Sequence, residues 1–312
     1  MPKMTNQPAD YIVPLNMNGL QGRMLHVPGR KRHNREILVV YGHHALLERW
    51  WSFVQNLHSF GTVTMPDLPG FGGMDSFYDI GLKPDIDAYA DYLASFIKLR
   101  YRRRRLTIIG ISFGFVVATR MLQKYPDLAK RVDFVVSEMG FAHHDDFKFS
   151  AMRMRMYRLT SWLCSLPVLS TLFRVICLNP MILRAAYSRT YNAKQKFKTV
   201  SAGSDAYDRM MDLEVTLWQV NDVRTHMATT FEFLGLDNCK RQLPMKVWHV
   251  FAESDHYFDH YLVEQHLKIA FGEVAMAPIS LDAHAPSITA DKQALAVLIP
   301  APLRAALHTH AN

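Results

Sequence analysis

The chain has 312 residues, 49% of them hydrophobic and 21% charged, with a formal net charge of +8. These proportions exclude a disordered, collagenous or small disulfide-stapled chain, and the length supports a core that needs no staples. Three scattered cysteines, Cys164, Cys177 and Cys239, build neither a disulfide nor a zinc framework, so reduced thiols in a cytoplasmic protein are expected. The first residues, MPKMTNQPAD, lack the apolar run of a signal peptide.

The elements follow in chain order. Tyr11 to Met17 and Leu20 to Val27 read as strands joined through Asn18-Gly19, a hairpin signal. Ile37 to Tyr41 is a short continuous apolar run, the pattern of a strand buried on both faces. A helix is expected over Leu46 to Phe60, a strand over Thr62 to Met65, then the turn-rich DLPGFGG and a helix from Ile86 to Leu99. Leu106 to Ile109 is again a buried strand, Phe115 to Gln123 a helix, and Val132 to Val136 a strand. This alternation predicts a mostly parallel α/β sheet with helices on both faces.

The rhythm then stops. Met152 to Phe233 is helical in pattern, broken at Pro167, at Asn179-Pro180 and over residues 201–204. It resumes with a strand at Val247 to Phe251, a helix near Tyr261 to Phe271, a strand near Val274 to Ile279 and a final helix after Thr289. The expected division is a core made of residues 1–142 and 221–312, with a helical cap over residues 143–220. Such a cap belongs over the C-terminal strand ends, where open α/β sheets bind ligands.

The positive charge lies in one place. Residues 148–198 hold ten Lys or Arg and no Asp or Glu, leaving the other 261 residues at a net −2. The same segment is apolar in 28 of its 51 positions, but its longest uncharged run, residues 159–173, is too short to span a bilayer. Its Met and Leu spacing fits packing against the core or an adaptable apolar acyl pocket. It also fits helices resting on an anionic membrane surface, a peripheral contact at the inner face of the membrane. The arginine run at residues 100–105 reads as a solvated loop, and no module for nucleic-acid binding is present.

The sharpest chemical signal is Gly110-Ile111-Ser112-Phe113-Gly114, which follows a predicted strand and opens a predicted helix. That is the context a G-x-S-x-G nucleophile elbow requires. Serine becomes a nucleophile when a base takes its proton and an acid orients the base. In the chain order this elbow implies, Asp255 lies just past the VWHVF strand and His284 lies 29 residues further on. Ser112 is therefore the expected nucleophile, His284 the general base and then general acid, and Asp255 the orienting acid; Glu253, Asp259 and Asp282 are rivals for the acid. Oxyanion donors are expected at the backbone N–H groups of Phe113 and of His43, in the loop Tyr41-Gly42-His43-His44. The paired histidines there, His143-His144-Asp145-Asp146 and the His256/His260 pair carry no metal assignment, and no cofactor is implied.

VVYGHHA, then PDLPGFGG, then GISFG, then the acid and histidine loops together resemble the capped α/β-hydrolase superfamily, of the serine esterase sort. The resemblance covers most of residues 11–299 outside the cap and implies a Ser112–Asp255–His284 triad. In it DLPGFGG is structural and flanks the cleft. Tyr41 stands where that family usually has histidine, Met74 where it has serine, and Ala283 where it has glycine. The implied reaction is cleavage of carboxylic esters or related acyl substrates. An aminopeptidase or amidase on the same triad and a non-catalytic hydrolase-like binding protein are the alternatives.

Overall fold

The structure, a computed structural model, describes residues 7–29, 35–102, 104–189, 204–281 and 292–309. The chain opens with the hairpin β1 (Ile12–Met17) and β2 (Leu20–Val27), antiparallel through a turn in which Asn18 and Gly19 both take positive φ, 54° and 84°. That is the backbone of the type I′ turn its sequence called for. β3 (Glu36–Val40) is buried at every position. The helix expected over Leu46 to Phe60 is a 3-10 turn, Leu47–Trp50, followed by a shorter α1 (Trp51–Leu57).

β4 (Thr62–Pro66), α2 (Ile86–Tyr101), β5 (Leu106–Ile111), α3 (Phe113–Lys124), the single turn α4 (Pro126–Ala129) and β6 (Val132–Glu138) follow. β6 runs two residues beyond its apolar stretch. Ser137 and Glu138 are buried there, in register with His249 and Val250, and the Ser137 hydroxyl meets His249 Nδ1 at 2.9 Å.

All regular structure between β6 and the next strand is helical among the described residues. It comprises a 3-10 turn, His144–Asp146, and α5 (Ala151–Cys164), α6 (Pro167–Cys177), α7 (Pro180–Arg189), α8 (Asp205–Val220) and α9 (Val223–Phe233). The breaks at Pro167 and Asn179-Pro180 fall where expected. The break at Asn221-Asp222 does not: Asn221 closes one helix and Asp222 caps the next, its carboxylate accepting the Thr225 N–H at 2.7 Å. α9 packs on α5 and α6, so the helical layer continues past residue 220.

The sheet resumes with β7 (Leu243–Ala252), α10 (His260–Ala270) and β8 (Phe271–Ile279). The last helix is split around Pro300 into a 3-10 turn, Ala294–Leu298, and α11 (Ala301–Thr309). Strand order is β1-β2-β4-β3-β5-β6-β7-β8; the β1–β2 and β2–β4 pairs are antiparallel and the rest parallel. β5 therefore lies centrally, its six residues all buried, and delivers its C-terminal end to the edge where the helical layer is inserted. No helix in the described residues is long and apolar enough to cross a membrane.

Candidate active site

Ser112 sits alone between β5 and α3 with φ 48° and ψ −115°, a conformation an L-residue adopts only under strain. The surrounding glycines leave no room for relief. A Cβ on Gly110 would lie 2.4 Å from Phe115 Cα, and one on Gly114 would lie 2.1 Å from the Val40 carbonyl oxygen. α3 can thus press against β5 and β3 only because both positions lack a side chain. The Ser112 N–H donates to the Glu138 carbonyl at 2.9 Å, which ties the turn to β6. Phe113 opens α3, where backbone N–H groups have no acceptor within their own helix and the helix dipole favours negative charge.

The loop after β3 lies against this turn. A Cβ on Gly42 would be 3.3 Å from Ser112 Cβ and 3.1 Å from the Ile111 carbonyl oxygen. The His43 ring is half-buried, 5.6 Å from the Phe113 ring, 5.1 Å from Phe233 and 4.2 Å from His226, and its Nε2 meets the Thr229 hydroxyl at 2.8 Å. Because that hydroxyl donates to the Thr225 carbonyl at 2.7 Å, its lone pair receives a proton on His43 Nε2. Burial, with the His226 ring alongside, holds His43 well below the ordinary histidine range, and burial takes His226 down to about 3. Both imidazoles are neutral, so the loop carrying the His43 N–H is pinned to α9 by a neutral hydrogen bond and ring contacts. Sequence spacing gave no sign of His226 or Thr229.

The glycine-rich DLPGFGG stretch has the structural role the resemblance implied. Asp67 is buried, accepts from Tyr41 Oη at 2.9 Å and from Arg23 Nε at 3.2 Å, and is pushed up to about 8 by burial. The Gly72 N–H donates to Asn221 Oδ1 at 2.8 Å and the Asp222 N–H to the Gly70 carbonyl at 2.8 Å. These bonds join the loop to the α8–α9 break.

Asp255 lies three residues past β7 and is buried. Its Oδ1 accepts the Tyr257 N–H at 2.8 Å, and Lys148 Nζ donates to its carbonyl at 2.7 Å. The Met139 N–H donates to the Val250 carbonyl at 2.8 Å, so the ends of β5, β6 and β7, and with them Ser112 and Asp255, share one edge of the sheet. His284, with the rival Asp282, lies outside the described residues. Of the other rivals, Asp259 caps α10, its Oδ1 accepting the Tyr261 N–H at 3.0 Å, and Glu253 is exposed. His256 and His260 are not on one helical face, since α10 begins only at His260.

Glu138 is a residue the sequence pattern passed over. It is buried at the end of β6, one strand from the elbow, and neither carboxyl oxygen has a hydrogen-bond partner among the described residues. Burial alone raises its pKa well above the carboxylate range, so it keeps its proton where an exposed glutamate would lose it. His143, His144 and Asp145 bring ligand atoms within 4.8 Å of one another. His143 Nδ1 accepts the Asp145 N–H at 3.2 Å, and His144 Nδ1 faces the Leu236 carbonyl at 3.0 Å, so one ring nitrogen of each is engaged by the backbone. The cluster lacks the four-ligand set of a structural zinc site.

No protein-family model matches the chain, and no curated protein matches it. Solved structures do. A thermophilic esterase from Thermogutta terrifontis superposes with a TM-score of 0.66 at 15% identity, over 96% of this chain and 99% of that one. An alpha/beta hydrolase enzyme from a Medee basin deep-sea metagenome gives 0.64 at 13% identity, over 92% and 96%. An enol-lactonase from Burkholderia xenovorans gives 0.63 at 13% identity, over 95% and 100%. The chain has the α/β-hydrolase fold.

Proposed function

We propose that the chain is a serine hydrolase acting on carboxylic esters with apolar acyl groups. The observation that carries this reading is the strained Ser112 backbone, held between β5 and α3 by two glycine contacts that leave no slack. A strained conformation persists only where its surroundings over-determine it, and such strain concentrates at functional sites. In the reaction, Ser112 Oγ attacks the acyl carbonyl carbon while His284 takes its proton; collapse expels the alkoxide, which leaves as alcohol with that proton. Water, deprotonated by His284, then attacks the acyl-enzyme, and Ser112 leaves with its proton restored. Asp255 orients His284. The Phe113 and His43 N–H groups receive the oxyanion, and Phe71, Phe113 and Phe233 around the His43 ring give that side of the site an apolar wall. Fold alone leaves the substrate open, because this architecture hosts many chemistries.

The amidase or aminopeptidase alternative needs a carboxylate to receive the substrate amine. Two of the cap acids are engaged within the cap: Tyr187 donates to buried Glu214 at 2.9 Å, and Asp212 pairs with Arg184, while Asp205 and Asp208 are exposed in the first turn of α8. The engagement of Glu214 and Asp212 favours the ester reading.

The test is labelling with a fluorophosphonate probe, comparing the native chain with Ser112→Ala. Labelling that disappears in the variant supports an activated serine, and hydrolysis of a series of p-nitrophenyl esters of rising length then ranks the acyl group. A folded native chain that takes no label overturns the reading in favour of a non-catalytic binding protein.

A further inference from the structure

α5 and α6 are built inside out. Among the described residues, fourteen of the twenty-one exposed large apolar side chains fall between Met152 and Ile182. In the same two helices the only buried residues are serines, Ser161 at 5% and Ser170 at 6% exposure, whereas Trp162 is 46% and Val168 70% exposed. Met152, Met156, Leu159 and Leu163 recur at four, three and four residues, so they form one stripe along α5, all of it outward. A helix that packs through small residues and turns its bulk outward suits lipid and is poorly suited to water.

Neither helix alone is long enough to cross a bilayer. At 1.5 Å per residue α5 is about 21 Å long and α6 about 16 Å, against a hydrocarbon core of about 30 Å. They are bent by 100° at the break between them. Geometry of this sort fits a pair lying in the plane of the interface. The chemistry around the stripe fits as well: Arg153 and Arg155 are exposed on α5, and the Arg153 guanidinium lies 5.8 Å from the Phe149 ring and 6.0 Å from that of Tyr157. No acid lies anywhere from residue 148 to residue 198. Arginine and aromatic side chains beside an outward apolar face are the composition of an interfacial helix, and a segment free of acids meets anionic headgroups without repulsion.

We propose that α5 and α6 dock the protein peripherally on an anionic lipid surface, their outward apolar side chains seated at the headgroup–acyl boundary. The surface connects to the site in few steps: α5 and α6 pack on α9, and α9 holds His43 through Thr229 and His226. The proposal stands whether or not Ser112 is reactive.

The test is co-sedimentation of the full chain with vesicles of phosphatidylcholine alone and of phosphatidylcholine with phosphatidylserine, at low and high salt. The native chain is expected to sediment with the phosphatidylserine vesicles, and to be released as salt screens the charges. Leu159→Glu with Val175→Glu, both at exposed positions, is expected to weaken binding at least about tenfold while the melting temperature stays unchanged. Arg153→Gln with Arg155→Gln is expected to weaken binding and reduce its salt dependence, which checks the charge contribution separately. A native chain that stays in the supernatant with both vesicle types overturns the proposal. So does a native dimer in light scattering that the glutamate variant converts to monomer without any vesicle binding, since the face would then belong to a second copy.

Discussion

Replacing Gly114 with alanine tests the packing argument at its tightest point. The new Cβ would lie 2.1 Å from the Val40 carbonyl oxygen and 2.5 Å from that of Tyr41, and real Cβ atoms are essentially never found closer than 3.0 Å to such neighbours. Neither oxygen belongs to a side chain that can swing away, so α3 and the end of β3 must separate by roughly 1 Å, an overpacking that costs about 1–3 kcal/mol. At about 2–4 °C per kcal/mol the melting temperature should fall by about 2–12 °C. The same shift carries the Phe113 N–H away from the loop bearing the His43 N–H. A 1 Å error in a positioned group is worth about 10²-fold in rate, so fluorophosphonate labelling should slow by that order in protein that is still folded. Gly272→Ala is the control: its nearest neighbours would be 3.6–3.7 Å away, ordinary contact, and φ is not positive there. If Gly114→Ala melts and labels like Gly272→Ala, the close approach of α3 to β3 does not position the site and the reasoning fails.

Ser112→Gly should raise stability by about 1–2 kcal/mol, because the mirror of its backbone angles is an ordinary extended conformation for glycine, while labelling disappears; urea unfolding beside labelling measures both, and a destabilised variant would refute the strain. His249, held by burial at about 3 in the folded chain against about 6.5 unfolded, contributes stability that is present above pH 6.5 and lost as pH falls toward 3. The loss is about 2 kcal/mol by pH 5, so the urea midpoint of His249→Asn should fall less between pH 7 and pH 5 than that of the native chain; equal losses would refute the assignment. Glu138 runs the other way. With its folded pKa raised, the native chain loses stability as pH rises from the unfolded value of about 4.3, and Glu138→Gln should remove that decline, read as melting curves from pH 4 to pH 8.

The parts of the fold that the sequence made legible are those where one physical demand dominates. Apolar runs such as ILVV and LTII can be stable only as strands covered on both faces, and Asn18-Gly19 supplies the positive φ that a two-residue hairpin needs. The elbow was legible because its glycines sit at fixed offsets from Ser112. The rest depended on pairings that local pattern does not encode. β6 runs on to Glu138 because β7 offers partners for Ser137 and Glu138, although an isolated carboxylate reads as a strand end. The Asn221-Asp222 break carried a usable signal in the Asp-x-x-Thr cap, hidden within a long helical pattern. His226 and Thr229 are more than 180 residues from His43 and meet it only through the tertiary fold. The basic, apolar segment was legible as unusual, yet only the structure shows that its serines face in and its large side chains face out.

The two-histidine contact between His43 and α9 also bears on how this protein could be re-engineered. Exchanging the whole helical layer for one with another specificity looks like a modular operation, because that layer is a single insertion between β6 and β7. It is not modular. A graft that replaced α9 would remove His226 and Thr229, the ring neighbour and hydrogen-bond acceptor of His43, and would loosen a backbone donor beside Ser112 without touching the serine itself. The least disruptive splice lies at the Asn221-Asp222 break, with α9 inherited with the sheet and any replacement for α8 keeping the Trp218 ring, 4.2 Å from that of His44 and 4.9 Å from that of His226.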